Sequence, residues 1–278
     1  MEMTDLRTVR WIHGAPDCDG SDDLPMQVVA IDDDSFVLRQ SKCVDFEAPF
    51  LYLLIGSERA LLLDTGATAD ADRFPIRRTV DELVEGKELT LMVTHSHGHG
   101  DHRAGDAQFA DLPVGSVAPV GAAEVAAFFG IEDWPVGMVT LDLGDRPVDV
   151  IPAPGHLEDH VIVFDRTRGL LLSGDTLLPG TLTVRDWSAY RDTIRRLARF
   201  ARETAARGHP IRQILGGHIE MTSSGELYEL GTTYQPDEAP LPLLVDDLFA
   251  LEVALDEAGE RPQRIALDRF VVEPMEGA

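Results

Sequence analysis

Apolar and polar positions along the chain predict short strands that alternate with helices. Three short β-rich runs near the N-terminus predict a meandering sheet: residues 35–40, 50–55 and 60–63. Residues 56–59 have the composition of a hairpin turn between the last two runs. Residues 76–84 carry apolar side chains at helical spacing, and residues 89–93 then predict a strand that leads into a histidine-rich loop.

The second half of the chain continues this alternation. It predicts strands near residues 139–141, 148–152, 161–164, 170–173 and 211–215, and helices at 187–207 and 243–258. The longer helix keeps its apolar residues on one face and places arginines on the others, at positions Arg191, Arg195, Arg199 and Arg202. Because arginines four apart align on any helix, we expect a solvated face rather than an anion-binding site.

The histidine-rich loop reads His-Gly-His-Gly-Asp-His at residues 97–102. Neutral imidazoles are the commonest ligands of zinc and similar divalent ions, and a carboxylate among them suits a site that also holds water. We expect Gly98 and Gly100 to adopt backbone angles closed to other residues, so that the alternate side chains converge. The loop therefore predicts the floor of a metal site, just past the end of a strand.

Three later positions share this setting, because each follows a predicted strand and lies beside glycine. They are His156 after Pro154-Gly155, Asp175 after Ser173-Gly174, and His218 after Gly216-Gly217. One such residue would carry little weight. Three in one chain with the 97–102 loop reinforce one another as candidate ligands.

These residues resemble the metallo-β-lactamase superfamily, since His97-x-His99-x-Asp101-His102, His156, Asp175 and His218 follow its metal-binding motifs in order. The resemblance spans residues 36–218 and includes Leu63-Asp64-Thr65-Gly66, which is similar to the family's early aspartate motif. It implies an α/β fold, an αββα sandwich of two mixed β-sheets flanked by helices, with a metal pair in a groove at one edge.

The resemblance implies two divalent metal ions, most simply Zn²⁺ with iron or manganese as alternatives. It assigns the ligands by position: His97, His99 and His156 to the first ion, Asp101, His102 and His218 to the second, and Asp175 to both. Asp64 is expected either to orient a ligand from outside the centre or to cap a turn. His95 continues the alternation but falls outside the motif, at the strand end.

The implied activity is that of a metal-dependent hydrolase. Water shared by two divalent cations loses a proton near neutral pH, and the hydroxide can attack a carbonyl while Asp101 orients it and relays a proton. Asp175 is similar to the bridging aspartate of glyoxalase II and of the lactonases, whereas zinc β-lactamases have cysteine near that position. Leu178 stands where the lactonases carry tyrosine. We expect a small ester, thioester or lactone as substrate.

Two other functions remain open. His97, His156 and Asp175 could hold a single iron as the two-histidine, one-carboxylate triad of a non-haem oxygenase, a case that the family's sulfur dioxygenases resemble. The chain could also be a binding protein that keeps the metals without turnover. Iron content with oxygen uptake would favour the former, and absence of turnover on a broad substrate panel the latter.

Length and composition bound the kind of molecule. With 278 residues and 44% apolar residues, the chain is expected to form one domain over 1–278, with residues 219–278 packing on the part that bears the motifs. No apolar run approaches a membrane span or a signal peptide, so a cytoplasmic location is the default expectation. Cys18 and Cys43 indicate no disulfide framework and are expected to be partly buried free thiols.

The charge pattern narrows the partners. The formal net charge is −25, from 49 acidic and 24 basic residues, and Lys42 and Lys87 are the only lysines. Such a field repels a polyanion, so nucleic acid is not an expected partner. A small-molecule substrate is expected, and the sequence does not indicate the oligomeric state.

Overall fold

The first sheet is built from the N-terminal third of the chain in the computed structural model, which describes residues 3–278. Its five strands are β1 (Met26–Asp32), β2 (Ser35–Gln40), β3 (Phe50–Ile55), β4 (Arg59–Leu63) and β5 (Thr90–Thr94). They lie in chain order, with β1 to β4 antiparallel and β5 parallel to β4. The predicted meander is confirmed.

The second sheet comes from the other part of the chain. Its strands are β6 (Val139–Asp142), β7 (Pro147–Pro152), β8 (Val161–Asp165), β9 (Leu170–Gly174), β11 (Gln213–Gly216) and β12 (Pro242–Leu243), in the order β12-β11-β9-β8-β7-β6. β11 runs parallel to β9, so this sheet is also mixed. A third, smaller sheet joins β10 (Gly180–Val184) to the C-terminal strands β14 (Phe270–Pro274) and β13 (Ile265–Ala266).

Helices lie outside the two large sheets. They are α1 (Ile76–Leu83), the single turn α2 (Gly100–Arg103), α3 (Ala122–Phe129), α4 (Trp187–Ala206) and α5 (Val245–Ala258). The helix α1 packs on the outer face of the first sheet, and α4 and α5 pack on the outer face of the second. Asp186 begins α4 by accepting a hydrogen bond from the backbone N–H of Ala189 (2.9 Å).

The core lies in three layers because the strands are buried on both faces. In β3, Tyr52 and Leu54 point between the sheets and meet Val163 and Leu172 of the second sheet. Leu51 and Leu53, one residue out of step, pack instead on the side of α1. A strand buried on both faces reads as a continuous apolar run, as Phe50–Ile55 does. The result is the predicted αββα sandwich.

The predicted solvated arginine face of α4 needs correction. Arg191 is buried, and its Nε donates to the carbonyl of Leu255 in α5 (3.3 Å), so it does not belong to a solvated face. Arg195 and Arg202 are exposed but pair with Asp256 and Glu252 of α5. These arginines join two helices. Their periodicity along α4 could not reveal a partner helix 50 residues away.

The expectation of free thiols is wrong, because Cys18 and Cys43 form a disulfide with their Cα atoms 5.2 Å apart. The bond ties the N-terminal segment to the β2–β3 loop (residues 41–49), where Lys42 and Glu47 also lie. Because disulfides are rare in reducing compartments, this bond does not support the expected cytoplasmic location. Within residues 3–278, no helix combines the length and the apolarity needed to cross a membrane.

Candidate metal centre

Four strand ends meet at one edge of the sandwich and carry all the predicted ligands. β5 leads into residues 97–102, β7 into the loop with His156, β9 into Asp175, and β11 into His218. Strand ends on two packed sheets are rigid supports for loops, and this edge is where the sandwich brings them together. The side chains fall into two groups that share Asp175.

The first group is His97, His99 and His156. The His97 Nε2 lies 2.8 Å from His99 Nδ1, and the His156 Nε2 lies 3.1 Å from the same atom. His97 and His156 are buried, whereas His99 is half-buried and its outer nitrogen faces the exposed Arg185 at 3.1 Å. With Asp175, these residues offer ligand atoms that all lie within 4.8 Å of one another.

The second group is Asp101, His102 and His218, from the turn α2 and the loop after β11. The Oδ2 of Asp101 lies 3.1 Å from His102 Nε2 and 3.2 Å from His218 Nε2, and the two Nε2 atoms are themselves 3.2 Å apart. His102 and His218 are buried, and the Asp101 side chain is partly exposed. This group could also hold a metal ion.

Asp175 stands between the groups, with one oxygen toward each. Its Oδ2 lies 3.6 Å from His156 Nε2 and 3.8 Å from His97 Nε2. Its Oδ1 lies 3.6 Å from the Nε2 atoms of both His102 and His218, and this buried oxygen has no hydrogen-bond partner among the described residues. A buried acceptor without a partner costs free energy unless a cation or proton meets it.

The glycines of this edge act differently from the prediction. Neither Gly98 nor Gly100 adopts a positive φ, so the expected special backbone angles are wrong. Gly98 instead allows a close approach, since a Cβ there would lie 2.7 Å from a carboxylate oxygen of Asp159. At Gly217 a Cβ would lie 2.5 Å from Asp175 Oδ1, so only glycine lets the β11 loop close on Asp175.

Hydrogen bonds on the outer side of three rings decide where their lone pairs point. The carbonyls of Thr183 and Glu47 can only accept, so the Nδ1 atoms of His156 and His218 donate to them, at 2.9 Å each. The Nδ1 of His102 likewise donates to the carboxylate of Asp64 (2.8 Å). In their neutral forms all three rings therefore turn a bare Nε2 inward, which is the arrangement that a metal ligand needs.

Asp64 has a second set of contacts that fix it under the centre. Its carboxylate accepts hydrogen bonds from the Ser96 N–H (2.6 Å) and the Ser96 hydroxyl (3.0 Å). Its own backbone is left-handed, with φ of 71°, a strained conformation for a residue other than glycine. Asp64 thus contacts both the turn before His97 and the ring of His102.

The two groups differ in their protonation. Burial lowers the pKa of His97 well below its usual value, and the neighbouring imidazoles lower it further. Burial also opposes protonation of His218, but the carboxylates of Asp175 and Asp101 outweigh it and raise its pKa to about 9. His102 likewise has a pKa well above its usual value, because Asp64, Asp175 and Asp101 outweigh its burial. In the metal-free second group, the raised pKa values favour protons on the His102 and His218 nitrogens that a cation could bind.

Two residues near the centre escaped the sequence argument. His160 is buried and stacks on His97 with ring centroids 5.0 Å apart, and its Nε2 accepts the backbone N–H of Asp175 (3.2 Å). Asp159 accepts the N–H groups of Gly98 (3.2 Å) and Gly121 (2.8 Å). Their signal was the spacing from His156, which places both just before β8. His95 lies outside both groups, paired with Asp106 (2.8 Å).

Comparison with known proteins places this fold and its motifs in a family. Residues 44–209, more than half of the chain, match the family described as the metallo-beta-lactamase superfamily. The chain belongs to this superfamily. The resemblance seen in the motifs is thus confirmed. Among solved structures, the metallo-beta-lactamase FIM-1 from Pseudomonas aeruginosa shares the fold, with a TM-score of 0.57 at 15% identity over 87% of this chain and 99% of that chain.

Curated relatives of this superfamily member align with part of it. The acyl-coenzyme A thioesterase MBLAC2 of Gallus gallus is 31% identical over 96 residues, which is 34% of this chain and 34% of that protein. The hydroxyacylglutathione hydrolase of Rhizobium meliloti (strain 1021) is 34% identical over 115 residues, which is 41% of this chain and 44% of that protein. The matches therefore span a third to less than a half of these relatives' lengths.

Proposed function

We propose that this superfamily member is a metal-dependent hydrolase of a small ester, thioester or lactone, with two divalent ions, most simply Zn²⁺, at the centre. The observation that carries the proposal is the placement of Asp175, whose two oxygens each face one group of imidazoles. A carboxylate so placed suits a bridge between two cations. We assign His97, His99 and His156 to the first ion, Asp101, His102 and His218 to the second, and Asp175 to both.

The residues fit such ions by their donor chemistry. Imidazole nitrogens and carboxylate oxygens are the ligands that zinc accepts, and the outward hydrogen bonds of His102, His156 and His218 leave each Nε2 free to bind. The unpartnered Oδ1 of Asp175 points to the same need for a cation. The chemistry that bound divalent ions supply is a lowered pKa of water and polarisation of a carbonyl oxygen.

Asp101 is the residue to which we assign proton movement. Its side chain is the more exposed carboxylate of the centre, 19% against 13% for Asp175. Burial raises the pKa of Asp101, but in the metal-free centre the charges and hydrogen bonds of His102 and His218 outweigh it and hold the pKa well below its usual value. An ionised carboxylate at the open side can orient a water molecule and pass its proton to a leaving group.

Relatives and charge narrow the substrate. One curated relative is named a thioesterase and another a hydrolase of hydroxyacylglutathione, which favours an acyl substrate and a thioester first. The net charge of −25 disfavours nucleic acid, so we assign a small-molecule substrate. We assign Asp64 a positioning role, because its carboxylate accepts the hydrogen bond of His102 Nδ1 without belonging to either group of ligands.

Metal analysis combined with a substrate panel tests the proposal. Protein purified without added metal is expected to contain zinc or manganese and to hydrolyse at least one class among esters, thioesters and lactones. Asp101→Asn should lower kcat by about 100- to 10,000-fold, the usual contribution of acid–base catalysis, with the circular dichroism spectrum unchanged. Asp192→Asn, which changes an exposed aspartate in α4, is the matched control.

Two results would contradict the proposal in different ways. Stoichiometric iron together with oxygen uptake would indicate the mononuclear oxygenase that the same residues could form. Absence of turnover across the panel with zinc, manganese and iron would indicate a binding protein.

A further inference from the structure

A cavity of about 230 Å³ lies beside the metal centre. The β2–β3 loop, β10 and residues 228–235 form its walls. Two of its lining residues are also those that hold the centre's rings, since Glu47 accepts from His218 and Thr183 accepts from His156. The cavity thus adjoins both groups on the outer side of their rings.

Lys42 is the cation of this cavity, and its ammonium makes no direct ion pair among the described residues, although the charges of Glu238, Glu220 and Glu47 favour its protonation. Its side chain lies in the wall and the residue is only 5% exposed. The Nζ donates to the carbonyl of Phe46 (2.8 Å), and no carboxylate of residues 3–278 lies within ion-pair distance of it. An ammonium has three N–H donors, so a neutral carbonyl leaves donors to spare beside the cavity.

Two other cations of the chain pair with carboxylates. Lys87, the only other lysine, is exposed and pairs with Asp34 at 3.0 Å. The nearby buried Arg39 is held by both oxygens of Glu238 at 2.5 Å. Lys42 differs from both because its ammonium contacts a backbone carbonyl instead of a carboxylate, as the buried Arg191 also does. Charges are buried at a cost unless something pairs with them.

We propose that this cavity receives a carboxylate of the substrate, with Lys42 as the residue that selects it. The inference rests on the proposed hydrolase for the bond that is cleaved, and adds that the acyl part bears an anionic end. Burial, followed by the charge of Arg39, lowers the pKa of Lys42 to about 8, so the ammonium is still mostly protonated at pH 7.

Other polar groups of the wall limit what fits. The backbone N–H of Thr181 donates to Glu220 (2.9 Å), which keeps that carboxylate at the wall. Tyr228 accepts from the Asp237 N–H (3.1 Å) through its hydroxyl oxygen, so its own proton is available to a carboxylate. Glu47, Glu220 and Glu229 add negative charge around the cavity, so we expect only a single carboxylate, held next to Lys42, rather than a phosphate with two charges.

A matched pair of thioesters tests the selection. The succinyl and butanoyl thioesters of N-acetylcysteamine differ mainly in a terminal carboxylate. We expect wild-type zinc-loaded protein to prefer the succinyl compound in kcat/KM. Lys42→Met should lower the ratio of the two kcat/KM values by about 10- to 100-fold, the range for a hydrogen bond to a charged group. Lys42→Arg should restore part of the ratio, and Lys87→Met should leave it unchanged.

A binding measurement separates this inference from the hydrolase. Because the chain has two lysines, ¹³Cε-lysine labelling gives two NMR signals, and Lys42→Met assigns them. In metal-free protein, millimolar glutarate should shift the Lys42 signal saturably, whereas glutaramide should not, and Lys87 should stay in place. A shift without turnover of either thioester would contradict the hydrolase but support the pocket. Hydrolysis without preference, or an unmoved Lys42 signal, would overturn the pocket.

Discussion

The two halves of the centre differ in how firmly the fold holds their rings. In the second group, His102 donates to the buried carboxylate of Asp64 and His218 to the carbonyl of Glu47. In the first group, His156 has such a partner in Thr183, but His99 is half-buried and its outer nitrogen faces only the exposed Arg185. All the rings of the second group are thus held from outside by hydrogen-bond acceptors, whereas His99 of the first group has no such acceptor on its outer nitrogen among residues 3–278.

Protonation follows the same division. Carboxylates surround the second group and raise the pKa of His102 and His218, whereas burial among other imidazoles lowers the pKa of His97 and His99. In the metal-free centre, these pKa shifts therefore favour protons on His102 and His218 and oppose them on His97 and His99. Two sites a few ångströms apart, built from the same residue types, are expected to bind metal with different dependence on pH.

The largest effect should come from the residue that belongs to both halves. Asp175→Ala removes one oxygen from each group, so both metal equivalents should weaken together and kcat/KM should fall by more than about 100-fold, the upper range for residues that only support a ligand. Metal content after dialysis and kcat/KM are the measurements, with Asp192→Asn as control. Loss of one metal equivalent alone would show that Asp175 serves a single group.

A change of pH should separate the halves. Metal binding must displace the protons of His218, whose pKa is about 9, and of His102, whose pKa is also raised, so the affinity of the second group should rise about a hundredfold per pH unit between pH 6 and 8. The pKa of His97 is already low, so affinity at the first group should change little above pH 7. Chelator competition at several pH values measures the metal affinities of both groups. The metal equivalent that Asp101→Asn weakens is assigned to the second group.

The same shift sets the sign for the stability of metal-free protein. The fold favours protonated His218, so this contribution to the free energy of unfolding is fully present below about pH 6.5, the usual pKa of histidine, and is lost as the pH rises through 9. Metal-free protein should therefore lose denaturant resistance over that window. A denaturation midpoint that stays constant as the pH rises from about 6.5 through 9 would contradict the raised pKa of His218.

The candidate ligands lie together because each follows the end of a strand. Strands such as Phe50–Ile55 and Val161–Asp165 are continuous apolar runs, and a histidine or aspartate directly after a run marks a sheet edge. β10 and β14 were missed. β10 is a short run with threonines, and β14 pairs with it across about 90 residues. Local pattern carries no information on such pairing.

Contacts between distant segments were the other limit. The sequence separation of 25 between Cys18 and Cys43 gave no sign that the two thiols meet, and the exposed or buried state of Lys42 depends on the segment at 228–235. The side chains of His160 and Asp159 accept hydrogen bonds from backbone N–H groups of the centre, and apart from their spacing from His156 the sequence does not mark them. The sequence indicated the types and spacing of the candidate ligands, but not the segments that surround them.

Asp64→Asn should weaken the second group selectively. The amide keeps the shape but places an N–H₂ donor near His102 Nδ1 or the Ser96 donors, so one buried hydrogen bond is lost. We expect a loss of about 10- to 100-fold in affinity for one metal equivalent, measured by chelator competition. Asp106→Asn is the matched control, because Asp106 holds His95 outside both groups. Equal weakening of both equivalents would assign Asp64 to the stability of the whole edge.

The disulfide should have the smallest effect on the centre, and it acts on the second group alone. The Cys18–Cys43 bond anchors the β2–β3 loop, which carries the Glu47 carbonyl that His218 contacts. The double substitution of both cysteines by serine should lower the free energy of unfolding by about 3 kcal/mol, as for loops of this length, and weaken the second metal equivalent a few-fold. Chemical denaturation and chelator competition measure the two quantities. If stability falls while both metal affinities are unchanged, Phe50 and Tyr52, which donate to the carbonyls of Gly217 and Gly216, hold the His218 loop without help from the disulfide.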